Sequence, residues 1–326
     1  MNTIFRNLFS RNKNKSSSVR GDFRILEESD QIRGEYKDWS LTHAGFDKIV
    51  FNGRGEKVAV IDTGVDASHK DLKEQIDGAY TFLTSTSDVT DRNGHGTFCM
   101  GQILAKENGT GVVGVAPEAK GISYKVFKGS SSSDHKEFVN ALVSSIYDAV
   151  AKDCGVISMS LGMRKEKEVL EALQYAVSKG VIPIAAAGND GMKGSLWNSY
   201  PAAYEEVISV SSANSKDMPA FWSSFGRGNN RLEQPEISIA SLEYYWGCIP
   251  GSFYGKMVGT SMSCPMVSGS ALLWRESMRS KGLLPSGSEI LTQYREWLYR
   301  VADDTNNNGW DAELGYGVLL LEDGEL

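Results

Sequence analysis

The chain has 326 residues, enough for one large domain with a substantial core or for two small domains. Hydrophobic residues make up 41% of it and charged residues 23%, which is typical of a globular protein. The net charge of -7 argues against a general nucleic-acid-binding protein, which usually carries a basic face, so no nucleic-acid partner is expected. No segment approaches the ~18 apolar residues of a membrane-spanning helix, and no membrane span is expected.

Residues 1–35 are polar, basic and rich in serine and asparagine, which predicts a flexible N-terminal extension. Charged residues such as Arg6 and Arg11 interrupt any apolar run near the start, so we expect no secretory signal and a cytoplasmic protein. Residues 22–26 (DFRIL) alternate in a way that would suit a strand added to another strand. Residues 36–326 are predicted to form the globular domain.

Within the globular part, apolar runs of strand length alternate with longer segments of helical periodicity. Continuous Val, Ile and Ala runs predict strands that are covered on both faces. Asp134 and Gly180 suit the start of one helix and the end of another. The pattern predicts a three-layer α/β fold, in which helices cover both faces of a mainly parallel twisted sheet and ligands bind at the carboxyl ends of its strands. The predicted strands are 57–61, 120–127, 156–161, 181–187 and 207–213, and the predicted helices are 134–151, 166–179 and 286–302.

Four short motifs place reactive or hydrogen-bonding side chains where predicted strands or helices begin or end. Asp62 directly follows an apolar strand, where a carboxylate is costly to bury without a partner. His95 lies between two glycines before a helical run, which leaves its imidazole uncovered. Ser261 precedes another helical run, where free N–H groups and the helix dipole favour a developing negative charge. Asn189 ends a strand of small residues and can donate its amide to an oxyanion, and Pro265 is expected in the first turn of the helix after Ser261.

Each motif alone has a structural explanation, such as a turn-forming Asp or Asn, a buried His or a helix-capping Ser. Together, the segments VIDTG, NGHGT, AAAGND and GTSMSCP resemble the sequence blocks of the subtilisin family of serine peptidases. The order Asp, His, Ser along the chain is also the order of that family. The resemblance runs from about residue 39 to about residue 320 and is thin between residues 225 and 255. The short N-terminal extension makes the layout similar to that of the intracellular branch of the family, in which such an extension restrains the enzyme. The resemblance therefore makes residues 1–35 a candidate inhibitory segment, with residues 22–26 as the stretch that would occupy the substrate cleft.

The resemblance implies a serine endopeptidase of broad specificity that acts on proteins or peptides. It implies that Ser261 is the nucleophile, that His95 is the general base and acid, and that Asp62 orients the imidazole. The side chain of Asn189 and the backbone N–H of Ser261 would form the oxyanion hole. The residues implied in substrate binding are Ser160, Leu161, Gly162, Ala186, Ala187 and Gly188.

The resemblance also implies a structural calcium site formed by Asp71 and Asn108. Their carboxylate and amide oxygens are the hard ligands that Ca²⁺ prefers. The alternative for Asn108, which stands in an Asn-Gly sequence, is a plain surface turn.

Several positions depart from the usual pattern of the family. Phe98 and Met266 stand where the family usually has His, but neither change touches a triad atom. Cys99 and Cys264 lie close in sequence to the His and Ser motifs, and we interpret both as small buried packing residues. We therefore expect activity to survive these departures.

The alternative to an active enzyme is a pseudo-peptidase that binds peptides without cutting them. The intact set of four motif residues argues against that alternative. An α/β-hydrolase would need Ser before Asp before His and a G-x-S-x-G turn, whereas this chain has the reverse order and reads GTSMS. A nucleotide-binding sheet is poorly supported, because the glycines at positions 53 and 55 precede a strand instead of following one.

Overall fold

The computed structural model describes residues 27–29, 32, 34–128, 134–191, 199–226, 235–240, 245–304 and 309–326. The strands in these ranges are β1 (Glu27–Ser29), β2 (Glu35–Tyr36), β3 (Lys57–Asp62), β4 (Ile76–Thr81), β5 (Gly111–Val112), β6 (Lys120–Lys125), β7 (Val156–Met159), β8 (Ile182–Ala186), β9 (Ile208–Ala213), β10 (Ile237–Ala240), β11 (Tyr245–Ile249), β12 (Phe253–Met257), β13 (Ala302–Asp303) and β14 (Val318–Leu319). The α-helices are α1 (Trp39–His43), α2 (His95–Leu104), α3 (His135–Ala151), α4 (Lys167–Ser178), α5 (Thr260–Ser280) and α6 (Glu289–Val301).

Nine strands form the central sheet in the order β13-β14-β10-β9-β8-β7-β3-β6-β4. Its pairs are parallel, except for the edge pair β13–β14. From β3 the chain builds one side of the sheet with β4 and β6, and then the other side with β7 to β10. The neighbours β3 and β7 therefore flank the point where the strand order reverses, and an open parallel sheet binds its ligand at the carboxyl ends beside that point.

Strand β3 shows why the predicted strands lack polar residues in alternation. Val58 and Val60 belong to one hydrophobic cluster, Ala59 and Ile61 belong to another, and all four are buried. Residues of α2, α5 and α6 complete the first cluster, whereas α3 and α4 cover the second. Because successive side chains of a strand point to opposite faces, a strand covered on both faces must be apolar throughout. The predicted three-layer α/β fold with a mainly parallel sheet is confirmed.

Local signals located the helix ends well. The Asp134 side chain accepts a hydrogen bond from the Glu137 N–H at 3.0 Å, and α3 begins at the next residue. Gly180 has a φ of 82° just after α4, in the left-handed conformation that a glycine adopts most easily at a helix end. Strand β7 ends at Met159, two residues earlier than predicted, so residues 160 and 161 lie beyond the sheet.

The hairpin of β11 and β12 was not predicted. Its strands pair in antiparallel register from Tyr245–Met257 to Ile249–Phe253, and the hairpin packs against α2. The sequence resemblance is thin in this stretch, although Pro250 and Gly251 are an ordinary turn signal.

Part of the N-terminal extension is a strand. Strand β1 pairs in antiparallel register with β12, so that Glu27 lies opposite Lys256 and Ser29 lies opposite Tyr254. Residues 22–26, the candidate inhibitory stretch, lie outside the described residues. In the described ranges, none of the helices has the length and hydrophobicity that a membrane span requires.

Candidate active site

The residues implied in catalysis come from neighbouring elements at the carboxyl edge of the sheet. Asp62 is the last residue of β3, Ser160 directly follows β7, and Asn189 follows β8 by three residues. His95 is the first residue of α2 and Ser261 is the second residue of α5. Helices α2 and α5 pack against each other, which brings their N-terminal turns to the same edge. The residues predicted at strand and helix ends therefore lie at the carboxyl edge of the sheet, where an open parallel sheet binds its ligand.

Asp62 and His95 form a buried hydrogen-bonded pair. Asp62 Oδ1 lies 2.7 Å from His95 Nδ1, and both residues are only 1% exposed. The same carboxylate oxygen accepts a hydrogen bond from the Thr63 N–H at 2.7 Å. With Nδ1–H donating to the carboxylate, Nε2 is the ring nitrogen that can accept a proton in the neutral imidazole.

A second buried carboxylate, Asp91, organises the turn that leads into His95. Its Oδ1 accepts hydrogen bonds from the Thr63 hydroxyl and from two N–H groups of the turn. Its Oδ2 accepts hydrogen bonds from the N–H and the hydroxyl of Thr97, in the first turn of α2. Asp91 thereby links the end of β3 to the start of α2. Asp91 was not among the residues predicted from the sequence, although it lies only four residues before His95.

A proline in α5 frees the carbonyl of the serine. Pro265 is the sixth residue of the helix, so the expectation that it lies in the first turn is wrong. Because proline has no N–H, Pro265 cannot donate to the carbonyl four residues earlier, that of Ser261. That carbonyl accepts hydrogen bonds from the Ser160 hydroxyl at 2.9 Å and from the Cys99 thiol at 3.5 Å. The Ser261 hydroxyl in turn donates to the Ser160 carbonyl at 3.4 Å.

The thiol of Cys99 lies between the two helices that carry His95 and Ser261. Its Sγ is 3.8 Å from Nδ1 and 3.9 Å from Nε2 of His95, and it donates to the Ser261 carbonyl. The imidazole and the backbone of the serine therefore contact one buried atom. Burial is the main reason why the pKa of Cys99 lies well above its usual value, and burial also raises the pKa of Cys264 to about 11. Both residues are buried, as expected from the sequence.

Thr260 fixes the orientation of the Asn189 amide. Asn189 Oδ1 accepts hydrogen bonds from the N–H and from the hydroxyl of Thr260, each at 3.0 Å. The Thr260 hydroxyl also accepts a hydrogen bond from the Gly188 N–H at 3.2 Å. With its oxygen occupied, the Asn189 side chain has Nδ2 left to donate. A Cβ at Gly259 would lie 3.2 Å from that nitrogen, so the glycine leaves room beside the amide.

The residues implied in substrate binding lie just after β7 and at the end of β8. The hydroxyl of Ser160 is engaged inside the site, whereas Gly162 and Gly188 are partly exposed. Leu161, Ala186 and Ala187 are buried as whole residues, and both backbone groups of Ala187 are already hydrogen-bonded within the fold. The partly exposed backbone of Gly162 and Gly188 is the part that a substrate could contact. A surface made of backbone groups suits an extended peptide and discriminates little between side chains.

Asp71 and Asn108, the implied calcium ligands, lie together in the structure. Asn108 Nδ2 is 3.3 Å from Asp71 Oδ1, and Asp71 Oδ2 accepts hydrogen bonds from the Tyr254 hydroxyl and the Val112 N–H. Asn108 Oδ1 faces away from Asp71 and accepts hydrogen bonds from the N–H and the hydroxyl of Thr110. Each of the two residues carries a hard oxygen of the type that Ca²⁺ prefers, but binding one ion through both would require the Asn108 amide to turn away from Thr110.

A buried Asp–His pair, a serine in the first turn of a helix and an oriented amide donor are the parts of an acyl-transfer enzyme. The family model described as the subtilase family matches residues 53–317, so the chain belongs to that family and is a subtilisin-like serine endopeptidase.

Individual relatives agree with this family. The chain is 39% identical over 252 residues to the major intracellular serine protease of Bacillus subtilis (strain 168), and the matched segment covers 74% of this chain and 75% of the relative. It is 38% identical over 274 residues to subtilisin DY of Bacillus licheniformis, covering 83% and 91% of the two chains. It is 38% identical over 261 residues to an intracellular serine protease of Paenibacillus polymyxa, covering 78% and 77%.

Proposed function

We propose that this endopeptidase uses Asp62, His95 and Ser261 as a catalytic triad. Ser261 Oγ attacks the carbonyl carbon of the scissile peptide bond while His95 Nε2 takes the hydroxyl proton. The imidazolium then passes that proton to the leaving amine, the C–N bond breaks, and an acyl-enzyme remains on the serine. Water attacks the ester with the same nitrogen as general base, which releases the carboxylic acid product and restores the serine hydroxyl.

The hydrogen bond of 2.7 Å between Asp62 and His95 is the observation that carries this proposal. Both partners are buried, and a charged hydrogen bond that is shielded from water is stronger than an exposed one. The carboxylate can therefore stabilise the imidazolium that forms when the serine is deprotonated. The Thr63 N–H bonded to the same oxygen helps to hold the carboxylate in place.

Two donors are available for the negative charge that develops on the substrate carbonyl oxygen. One is Asn189 Nδ2, whose orientation is set by the two hydrogen bonds from Thr260 to Oδ1. The other is the Ser261 N–H, which lies in the first helical turn and has no partner within the helix. Fixed donors of this kind stabilise the tetrahedral intermediate because they need no reorganisation during the reaction.

We infer a broad specificity from the backbone character of the substrate surface. Residues 160–162 and 186–188 would bind an extended protein or peptide substrate through main-chain hydrogen bonds, with little demand on its sequence. Two of the relatives are named intracellular serine proteases, which supports our further proposal that this enzyme works in the cytoplasm.

The triad is tested by replacing its nucleophile. Ser261→Ala should abolish casein hydrolysis and labelling by a serine-directed phosphonate; removal of the triad serine in subtilisin itself costs on the order of a millionfold in turnover, a magnitude transferred from the family. Ser215→Ala changes an exposed serine and should keep both activities. Near-normal turnover of the Ser261→Ala protein would contradict the triad. Casein binding without hydrolysis by the wild type would instead favour the peptide-binding pseudo-peptidase.

We also propose that Asp71 and Asn108 bind a structural calcium ion. Their side-chain atoms lie 3.3 Å apart, and the Glu35 carboxylate accepts a hydrogen bond from the Gly109 N–H on the same loop. The ion would hold this loop against the segment that carries Asp71, so its contribution is to stability and not to any step of the reaction.

The N-terminal extension is proposed to restrain the enzyme. Going backwards along β1 from Ser29 to Glu27, the partners on β12 advance from Tyr254 to Lys256, in the direction of the nucleophile. This direction supports a placement of the extension across the substrate cleft until it is cut away.

Glu28→Pro tests the restraint because proline has no N–H for pairing with β12 and should loosen the extension. We expect a higher initial rate on a peptide substrate from this variant and from a chain that starts at Glu35. Glu28→Gln changes only an exposed side chain and should keep the lower initial rate that we expect of the wild type. Equal initial rates for all of these proteins, with uncut N-termini by mass spectrometry, would contradict the proposal.

A further inference from the structure

Lys125 is a buried cation that the proposed reaction does not use. It is the last residue of β6, and in the sheet it lies opposite Asp62, the last residue of β3. The two strands are neighbours, about 4.8 Å apart. Lys125 is only 3% exposed, and a lysine is rarely buried to this extent unless another group compensates its charge. The groups around its ammonium therefore indicate what the residue does.

The ammonium of Lys125 holds the turn that leads into His95. Its Nζ donates a hydrogen bond to the carbonyl of Thr90, and Thr90 also forms a parallel bridge with Val65, in the segment after β3. Thr90 is followed directly by Asp91, whose carboxylate links the end of β3 to the start of α2. Lys125 thereby anchors this turn from the sheet, whereas Asp91 anchors it from within.

The Asp91 carboxylate needs a counter-charge. It is 2% exposed, and the hydrogen bonds that it accepts come from neutral donors, namely backbone N–H groups and two threonine hydroxyls. Arg92, the next residue, is bonded to the Asp88 carboxylate at 2.8 Å. Among the lysines and arginines that the structure describes, Lys125 is therefore the one left to compensate Asp91.

The electrostatics of Lys125 agree with this pairing. Burial is the main reason why the pKa of Lys125 lies below its usual value, but the carboxylates of Asp88 and Asp91 act in the opposite direction. Arg92 lowers the pKa further, and all three of these charged groups lie in the segment before α2. The attraction between Lys125 and Asp91 acts without a direct ion pair, which the low dielectric of a buried site allows.

We propose that Lys125 is a positioning residue for the catalytic base, and that its charge offsets the Asp91 carboxylate so that the His95 imidazole stays neutral until the reaction begins. The inference rests on the proposed triad. Without the ammonium, an uncompensated negative charge near the imidazole would favour the imidazolium in the free enzyme, and an imidazolium cannot take the proton of Ser261. Lys125 thus limits the negative charge that acts on the imidazole to the Asp62 carboxylate, which catalysis uses.

Two substitutions that remove opposite charges test this proposal through the pH dependence of kcat/KM on a chromogenic peptide. Lys125→Met should move the acid limb of the profile to higher pH by about 0.3–1 pH unit, because the imidazolium becomes easier to form. Asp91→Asn should move the same limb to lower pH by a similar amount. In the double variant the two shifts should largely cancel. A role in packing alone predicts neither the opposite directions nor the cancellation.

Turnover at the optimum pH gives a second measurement. Lys125→Met also loses the charged hydrogen bond to the Thr90 carbonyl, so kcat should fall about tenfold or more while KM changes little. Lys125→Arg keeps a charge and a donor and should keep the acid limb of the wild type. Lys128→Met is the matched control, because it removes an exposed lysine three positions further on, which is paired with Glu137 at 3.2 Å. It should change neither kcat nor the acid limb.

The double variant also protects the test against misfolding. If Lys125→Met is too unstable to assay, the acid limb of Lys125→Met/Asp91→Asn should still lie at a higher pH than that of Asp91→Asn. Acid limbs that stay in place or move in the same direction would overturn the proposal, as would an equal shift in Lys128→Met. Labelling of these variants by the serine-directed phosphonate, with none of Ser261→Ala, would show that such a failure concerns Lys125 and not the triad.

Discussion

Thr260 offers the sharpest test of how the oxyanion hole is built. Its hydroxyl donates to Asn189 Oδ1 at 3.0 Å and accepts from the Gly188 N–H at 3.2 Å, and the residue itself is buried. Thr260→Ala removes both interactions but keeps the backbone N–H that also bonds Asn189 Oδ1. The amide of Asn189 should then be held by one hydrogen bond instead of two.

The expected size of the effect follows from those lost hydrogen bonds. One hydrogen bond contributes about 0.5–1.5 kcal/mol net, which corresponds to about a two- to thirteenfold loss in kcat if it is felt mainly in the transition state. The Gly188 N–H would also lose its partner, and we expect a loss of about 1 kcal/mol in the free energy of unfolding. KM should change little, because the oxyanion forms only after substrate has bound.

The assay is steady-state hydrolysis of a chromogenic peptide by Thr260→Ala, Thr260→Ser and Asn189→Ala, with the Thr260→Ala/Asn189→Ala double variant. Thr260→Ser keeps the hydroxyl and should restore most of the turnover. Asn189→Ala should lower kcat about a hundredfold to a thousandfold, the loss found for the matching donor in subtilisin itself and transferred here from the family. In that background Thr260→Ala should have little further effect, because the amide it orients is gone. Full additivity of the two substitutions, or a Thr260→Ser protein as slow as Thr260→Ala, would refute this account.

Three further predictions concern the surroundings of the site. Asp91→Asn should lower the free energy of unfolding in urea by about 1–3 kcal/mol and reduce kcat, because the buried N–H and hydroxyl of Thr97 lose a charged acceptor. The control Asp88→Asn changes a partly exposed carboxylate that pairs with Arg92 and should change kcat little. Equal loss in both variants would contradict a specific role for Asp91. A chelator should lower the Tm of the wild type, since a bound ion at a hundred times its Kd adds about 2.7 kcal/mol to the free energy of unfolding. The Tm of Asn108→Ala should not respond to the chelator. An identical Tm of the wild type with and without chelator would contradict the calcium proposal. The four buried cysteines should react with a thiol reagent at pH 8 only after denaturation. Burial raises the pKa of Cys154 to about 12 and that of Cys264 to about 11, which suppresses the reactive thiolate. Rapid labelling of the native protein would show that burial does not protect these thiols.

What the sequence predicted well was encoded locally. The run of apolar residues before Asp62 predicts a strand that ends at the carboxylate, and the helical periodicity after His95 and Ser261 predicts their places at helix starts. Such signals span a few residues and depend on backbone and side-chain preferences that act within one element. They were enough to recognise the family and to propose the reaction.

The supporting contacts of the site were not predictable in this way. Thr260 meets Asn189 across 71 positions of sequence, and Ser160 meets the Ser261 carbonyl across 101 positions. These contacts depend on the order of the strands in the sheet and on the packing of α5 against them, which periodicity does not reveal. Asp91 is different, because a carboxylate that precedes an Asn-Gly turn is a recognisable capping signal.

The position of Pro265 links a local property of helix α5 to contacts with residues that are distant in the sequence. A proline inside a helix usually destabilises it by about 3 kcal/mol, because one backbone hydrogen bond is lost and the ring crowds the preceding turn. Here the carbonyl that loses its helical donor belongs to Ser261, and it gains the Ser160 hydroxyl after β7 and the Cys99 thiol of α2 in exchange. The first turn of a helix normally depends on its own capping for order, since its N–H groups have no helical acceptors. Hydrogen bonds from two other elements hold this turn from outside the helix. The proline that weakens α5 therefore also fixes the backbone of Ser261 relative to the sheet and to the helix of His95.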